Sequence, residues 1–314
     1  MDSSPDDGDK AGDDVIGMLE RGRRQFLALV NPIRPELHRY CARMTGSVTD
    51  GEDVVQETLA AAYYELSQLK ALPPLRPWLF RIAHNRAIDY WRRESYRRAE
   101  PLDAAADVAD EPAHEPDNVL AHQQAVRAAL SSFLALAPAQ RGCVILKDVL
   151  DQSLEEIAAE LNLSLPAVKA ALHRGRSTLQ RLGQAAPPTV PPAREMSPAL
   201  RRYASLFNAR DWDGVRALLA DDVRLDLVAH RKAAGRREVG SYFSNYDRVR
   251  DWQLAPAWFD GCEVLAVRRE PNAAGPDYFI ELAWRADQVV AIRDFRYVPY
   301  IARECAFEFA PSDG

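Results

Sequence analysis

Two stretches of the chain carry side chains whose types and spacing suit contact with nucleic acid. The first, residues 76–98 (RPWLFRIAHNRAIDYWRRESYRR), is aromatic and basic at once. Leu79, Ala83, Ala87 and Trp91 recur every four residues with Ile82 beside them, which makes one helical stripe. Arg81, Asn85, Asp89 and Arg93 are offset by two positions and fall on roughly the opposite face. Cations next to Tyr90 and Trp91 offer charge to phosphates and ring faces to unstacked bases. The same pattern also describes an ordinary amphipathic surface helix with a solvated basic side. The second stretch, residues 138–182, contains Ser153-Leu154-Glu155-Glu156, a capping box that opens a helix, and then the tight turn Asn162-Leu163-Ser164. Ser164 and Pro166 suit the start of a second helix. There Val168, Leu172, Gly175, Leu179 and Leu182 step 4-3-4-3 as a buried seam. Lys169, His173, Arg176 and Gln180 follow one residue on, with Arg174 and Arg181 widening a basic face. Two short helices, a three-residue turn and a basic second helix predict a helix-turn-helix that reads DNA.

Other reactive side chains form weaker patterns. Asp226 and Asp294 lie in alternating, strand-like segments and are candidate acid/base groups, but no partner donor accompanies either. His173 has no Cys or His at ligand spacing, and Cys41, Cys143, Cys262 and Cys305 are too scattered for a zinc site or a disulfide framework. No metal and no cofactor is expected.

The elements that must position these groups fall into three blocks. At 314 residues the chain is long enough for two or three domains. No apolar run approaches the ~20 residues of a membrane span, and the acidic N-terminus lacks a signal-peptide core. A cytoplasmic protein with no membrane partner is expected. The net charge of −6 is unevenly spread: residues 21–100 hold fourteen Lys/Arg against nine Asp/Glu, a local net of +5. Acidity concentrates instead in residues 1–20 and 101–120, so the first folded block is basic. Residues 1–20 read as a disordered tail. Helices follow over about 23–43 and from a capping box at Thr49 and Glu52, whose helix has Val55, Leu59, Ala62 and Leu66 as its stripe. Asp53, Gln56 and Glu57 lie off that stripe. Residues 100–117 read as an acidic linker. Helix resumes near Asn118, with Val126, Leu130, Phe133 and Ala137 as its apolar face. The run GQAAPPTVPPAREMSP imposes a Pro-rich boundary.

The last block has another texture. Leu200, Tyr203, Ala204 and Phe207 form a helical face, as do Val215, Leu218 and Leu219. VRLDLVAH then alternates like a strand, residues 238–249 predict a short helix, and WQLAPAWF and CEVLAVRR read as strands. In DYFIELAWRADQVVAIRDFRYV, Tyr278, Ile280, Leu282 and Trp284 alternate, Ala286-Asp287 turns, and Val289, Ala291, Arg293, Phe295 and Tyr297 run back as a hairpin. Helices followed by an antiparallel sheet predict an α+β cone with room for a pocket.

At this point DGEDVVQETLAAAYYEL, RPWLFRIAHNRAIDYWRR and LAPAQRGCVILKDVLDQSLEEIAAELNLSLPAVKAALHRGRSTLQRL together resemble bacterial RNA polymerase sigma factors of the extracytoplasmic-function (ECF) group. NARDWDGVRALLADDVRLDL and VVAIRDFRYV resemble a SnoaL-like domain of the NTF2/ketosteroid-isomerase-like superfamily. The resemblance implies a multidomain chain: a disordered acidic tail (1–20), sigma region 2 (21–99), an acidic linker (100–117), sigma region 4 with its helix-turn-helix (118–183), a Pro-rich linker (184–198) and a SnoaL-like regulatory domain (199–310). It implies that Asp53, Gln56 and Glu57 dock on a coiled coil of the largest subunit of core RNA polymerase. By the same resemblance Lys70, Arg76, Asn85, Arg86, Asp89, Tyr90, Trp91, Arg92 and Arg93 bind and melt the −10 promoter element, with a base of the non-template strand flipped out. Lys169, His173, Arg174 and Arg176 then read the −35 element in duplex DNA. The loop LKALPPLRP has few polar side chains beyond Lys70 and Arg76. Ala170 and Ala171 stand where relatives often carry Ser and Arg, so phosphate contact and shape readout are expected to dominate. The C-terminal block is read as regulatory rather than catalytic, with a small ligand as a further candidate partner. The alternatives are a DNA-targeted isomerase- or hydrolase-type enzyme and a polymerase-independent helix-turn-helix regulator.

Overall fold

The computed structural model describes residues 7–66, 68–98, 130–184, 195–247, 252–259, 262–269, 275–303 and 307–310. The chain divides into two compact units, Met1–Pro187 and Pro188–Gly314. The acidic linker expected at 100–117 lies outside the described residues, as does most of the Pro-rich spacer.

In the first unit α1 spans Asp7–Val30, so residues 7–20 are helical and the expected disordered tail is corrected there. No proline interrupts the chain between Pro5 and Pro32. Phe26 and Val30 anchor the C-terminal end of α1 in the core. The helix expected over 23–43 is two helices, because Pro32 and Pro35 cannot supply interior N–H groups; α2 is Arg34–Thr45, with a proline in its first turn. It ends at Gly46, whose φ of 78° closes the helix in the left-handed region. Next comes α3 (Val48–Leu66). Its cap is Ser47, whose Oγ accepts from the Asp50 N–H at 3.2 Å. Thr49 lies inside the helix, and Glu52 is buried against Arg34, which corrects the expected capping box. Gly51 lets α2 and α3 touch, since a Cβ there would stand 2.5 Å from the Ala42 Cα.

A loop then leads to α4 (Leu75–Arg98), where Leu79, Ala83 and Ala87 are fully buried, as the four-residue stripe predicts. Leu130–Ala135 is a 3₁₀ helix rather than the continuation of an α-helix. α5 (Pro138–Val144) runs on through a π-helical turn, Ile145–Val149. α6 (Leu154–Leu161) and α7 (Leu165–Gln184) complete the unit. One contiguous apolar core runs from Phe26 through α2–α4 to Leu179 of α7.

The second unit is α+β. Its helices are α8 (Pro198–Asn208), α9 (Trp212–Ala217), α10 (Arg236–Tyr242), α11 (Ser244–Asp247) and α12 (Tyr300–Arg303). Its strands are β1 (Leu219–Leu227), β2 (Arg231–Ala234), β3 (Gln253–Phe259), β4 (Cys262–Arg268), β5 (Tyr278–Arg285), β6 (Gln288–Asp294) and β7 (Phe307–Phe309). They form one seven-stranded sheet in the order β2-β1-β6-β5-β4-β3-β7. The β1–β6 pair is parallel and the others are antiparallel, so the sheet is mixed. The hairpin β5–β6 turns at Ala286-Asp287 as predicted, with Ala286 at φ 50°. A bulge between Ala283 and Trp284 shifts the register, so Val289 and Ile292, three residues apart, both enter the core.

Candidate nucleic-acid interface

The outer face of α4 presents Arg81, Asn85, Arg92 and Arg93 to solvent, and Lys70 is exposed in the preceding loop. Arg81 shares the polar stripe of Asn85 and Arg93 and is exposed with them. Arg86 and Asp89 are half-buried. Arg92 stands 3.5 Å from Asp89, and Arg93 donates to both Glu57 oxygens at 3.1 Å. Such exposed pairs contribute roughly 0–1 kcal/mol and exchange easily for phosphate.

Three residues of the expected −10 set point elsewhere. The Trp91 indole N–H donates to the Met44 carbonyl at 2.7 Å, and the Tyr90 hydroxyl donates to Asp50 at 2.9 Å. The two rings meet edge to face and serve as half-buried anchors between helices, since a buried indole or phenol needs a polar partner. Arg76 lies over the Phe80 ring and donates to Glu36 at 3.0 Å and to Glu160 at 3.3 Å. It faces into the fold. On α3, Asp53 is exposed, Gln56 donates to Glu52 at 3.1 Å, and Glu57 holds Arg93. That last pair ties the helix expected to dock on polymerase to the helix expected to hold DNA.

The helix-turn-helix is built as its capping signals predict. Ser153 and Glu156 close the capping box, Asn162 ends α6 at φ 54°, and Ser164 accepts from the Ala167 N–H at 3.3 Å. Val168, Leu172 and Leu179 are buried, while Leu182, the last residue of the predicted seam, is exposed. Gly175 sits where a Cβ would come 2.6 Å from Val144, so α7 packs tightly on α5. Lys169, His173 and Arg174 face solvent. Arg176 does not: it makes two bonds to buried Asp148, at 3.0 and 2.7 Å, and braces α7 against the π-helical turn. Its guanidinium is thus engaged within the fold rather than standing free on the basic face.

The two helical readers pack on each other through two polar clusters. In one, Arg76 bridges Glu36 of α2 and Glu160 of α6. The Gln152 amide nitrogen, oriented by its hydrogen bonds, lies 2.8 Å from Glu160. In the other, buried Arg141 of α5 donates to the carbonyls of Met44, Leu134 and Leu136 at 2.5, 3.1 and 3.0 Å. Its guanidinium lies 5.4 Å from the centre of the Trp91 ring. Nearby, the Tyr40 hydroxyl meets His84 Nδ1 at 2.7 Å, and burial lowers the His84 pKa to about 4. A Cβ on Gly142 would stand 3.1 Å from that hydroxyl.

Burial raises the Glu160 carboxyl to about 7, with Arg76 only partly opposing it. A carboxyl whose folded pKa lies above its unfolded value stabilises the packed arrangement fully below that unfolded value, near 4.5, and loses the contribution as pH rises through about 7. Amide exchange in α6, corrected for intrinsic rates, should therefore accelerate between about pH 5 and about pH 8, and Glu160→Gln should flatten the trend. A pH trend equally steep in the variant would assign it to another group.

In the second unit the two candidate carboxylates do not meet. Across β1 and β6, Asp226 pairs with Arg293 and Leu227 with Asp294, so the two acids leave opposite faces of the sheet. Asp226 sits in a cross-strand row, Lys232–Asp226–Arg293–Glu281, of alternating charge. Asp294 is fully buried and accepts from the hydroxyls of Tyr242 at 2.5 Å and Tyr246 at 2.9 Å and from the Arg296 N–H at 2.9 Å. Tyr278 adds to the chain through Tyr246 at 3.0 Å. Burial raises the Asp294 pKa, against the pull of these hydrogen bonds. Among the described residues no cluster of His, Cys, Asp or Glu is arranged to hold a metal ion, and no helix is long and apolar enough to cross a membrane.

Comparison with known proteins places these elements in a family. Residues 29–97 match Sigma-70 region 2, and residues 127–179 match Sigma-70, region 4. The chain is 34% identical over 215 residues to the ECF RNA polymerase sigma factor SigG of Mycobacterium tuberculosis, covering 61% of this chain and 58% of SigG. It thus spans somewhat more than half of that relative's length. To the ECF RNA polymerase sigma factor SigW of Bacillus subtilis it is 30% identical over 175 residues, covering 53% of this chain and 93% of SigW. Among solved structures, the extracytoplasmic function sigma factor SigJ of M. tuberculosis is similar at 20% identity and a TM-score of 0.33, covering 85% of this chain and 95% of that one.

Proposed function

The chain belongs to the ECF RNA polymerase sigma factors, and on that premise we propose that it binds core RNA polymerase and directs it to specific promoters. The observation that carries this reading is the pair of solvent-facing cationic surfaces on one helical unit. Arg81, Asn85, Arg92 and Arg93 on α4, with Lys70 before it, serve the −10 element. Lys169, His173 and Arg174 on α7 serve the −35 element. Asp53 and its neighbours on α3 form the contact to the polymerase coiled coil.

The packing of α4 on α6 adds a condition. Elements about 25 base pairs apart are separated by roughly 85 Å at about 3.4 Å per base pair. Two readers sharing one core cannot reach both, so productive binding requires the Arg76–Glu160 and Arg141 contacts to part. Core polymerase is the partner that supplies the energy for this opening. The C-terminal unit is assigned a regulatory role, because its two strand carboxylates point to opposite sides of the sheet.

Run-off transcription with core polymerase on a cognate promoter tests the proposal. The full chain is expected to stimulate initiation, and the double change Lys169→Ala, Arg174→Ala to weaken promoter complexes roughly 10–100-fold while reducing the salt slope by about two. No stimulation by the full chain, or an unchanged slope, would count against it. A chain ending near residue 198 that transcribes and binds core identically would remove the regulatory assignment.

A further inference from the structure

Two exposed arginines near the end of α4 each stand against a carboxylate, but the carboxylates come from different places. Arg92 lies 3.5 Å from Asp89, one turn back on the same helix. Arg93 donates from Nη2 to both oxygens of Glu57 at 3.1 Å, and Glu57 belongs to α3. The distinction matters for anything that docks. Asp89 stays beside Arg92 whatever binds elsewhere. Glu57 lies off the apolar stripe of α3 together with Asp53 and Gln56, on the face assigned to core polymerase. One carboxylate is therefore wanted by two partners, a cation on the DNA face and the surface on which α3 docks.

The geometry lets either partner take it. The Arg93 and Glu57 side chains are 52% and 41% exposed, so the pair is accessible from solvent. Its contact passes through a single nitrogen, and a phosphate can still approach the rest of the guanidinium. That phosphate meets the Glu57 carboxylate on the same cation, and two anions sharing one cation weaken each other's hold. An exposed pair of this kind shifts an equilibrium by about fivefold or less. It is weak enough for docking to break and strong enough to register in a binding constant.

Resting on the reading of the chain as a polymerase-docking, promoter-binding factor, we propose that Glu57 is a positioning residue for DNA contact. In the free chain it holds Arg93 neutralised; docking of α3 on core polymerase engages Glu57 and releases Arg93 to a backbone phosphate. Only the rotamers of two exposed side chains need change. The coupling is reciprocal: DNA that takes Arg93 leaves Glu57 available and raises the affinity for core by the same factor.

Fluorescence anisotropy of a labelled, mixed-sequence single-stranded DNA, titrated with the full chain over a series of salt concentrations, tests this. Without core, Glu57→Gln should tighten binding about two- to fivefold and steepen the salt dependence by about 0.7, the share of one added phosphate contact. The gain should vanish in the Arg93→Gln background. Glu65→Gln removes the same charge from an exposed position about two turns along α3 and should leave the affinity near that of the unaltered chain. Glu57 and Arg93 are about half exposed, so neither variant threatens the fold. With core polymerase at saturating concentration, the advantage of Glu57→Gln over the unaltered chain should disappear. The absence of any gain in the free chain, a gain that survives Arg93→Gln, or an equal gain in Glu65→Gln would each overturn the proposal. A chain that binds core yet keeps the full gain there sinks the release step while leaving the sigma reading intact; a chain that does not bind core removes that reading and the release step with it.

Discussion

Replacing Arg141 with Met is expected to destabilise the N-terminal unit by about 3–5 kcal/mol, an effect that equilibrium urea unfolding will read as a fall in midpoint at constant slope. Arg141 is 5% exposed and satisfies three carbonyls from two separate segments, Met44 at the end of α2 and Leu134 and Leu136 before α5. A methionine of similar length fills the space but donates nothing, so the Leu134 and Leu136 carbonyls lose the guanidinium inside the core, at roughly 1–3 kcal/mol per group before relaxation, while the Met44 carbonyl keeps the Trp91 indole N–H. One term opposes this loss. Burial lowers the Arg141 pKa to about 10, which shows that the charge is held at some expense, and removing it recovers that part. The guanidinium still stays charged at neutral pH, and the two orphaned acceptors, with the weakened third, outweigh the recovery. Because Arg141 belongs to the second helical set while Met44 and Trp91 belong to the first, the same change should loosen their packing and speed amide exchange near Trp91. A loss below about 1 kcal/mol would mean that these carbonyls meet water, and that the two sets are already apart in solution.

Asp294→Ala should have the second largest effect, costing the C-terminal unit about 2–4 kcal/mol. The carboxylate is the acceptor at which the tyrosine chain ends, with Tyr242 and Tyr246 donating to the same oxygen. Without it two buried hydroxyls and the Arg296 N–H compete for too few acceptors. Tyr242→Phe removes one donor and leaves the carboxylate with the rest, so it should cost clearly less than the alanine change. The pH sign follows from the raised pKa of Asp294. A carboxyl shifted upward on folding contributes its stability at low pH and loses it as pH rises through the folded value, opposite to the acid sensitivity of a salt-bridged aspartate. Thermal unfolding of the full chain with separate probes for each unit will resolve this. If Asp294→Ala and Tyr242→Phe cost the same, the carboxylate is not the hub of the network.

The four-residue stripe Leu79, Ala83, Ala87 was legible in the sequence because helical periodicity and burial are the same statement read twice. The helix-turn-helix was legible for a similar reason: Ser153, Glu156, Asn162 and Ser164 act on backbone groups within a few residues of themselves. The hairpin at Ala286-Asp287 was also a local affair. Some corrections are themselves local, such as the helix over 7–20 and the break at Pro32 and Pro35; others depend on a distant partner. Thr49 and Glu52 have capping-box spacing, yet Arg34, eighteen residues away, claims the glutamate. The bulge in β5–β6 placed Val289 and Ile292 on one face where alternation predicted otherwise.

By itself, then, the sequence determined most of the helices and the main strands, where the cations cluster, and the family to which the order of motifs belongs. Only the tertiary structure decided which of those side chains face solvent. Arg81, Asn85, Arg92, Arg93, Lys169, His173 and Arg174 keep solvent-facing positions. Arg76 and Arg176 turn inward because buried carboxylates, Glu160 and Asp148, require a partner that water no longer provides. Tyr90 and Trp91 do likewise because their polar tips find acceptors on α3 and at the end of α2. Spacing along a helix sets the direction in which a side chain leaves; what waits there is set by another part of the chain.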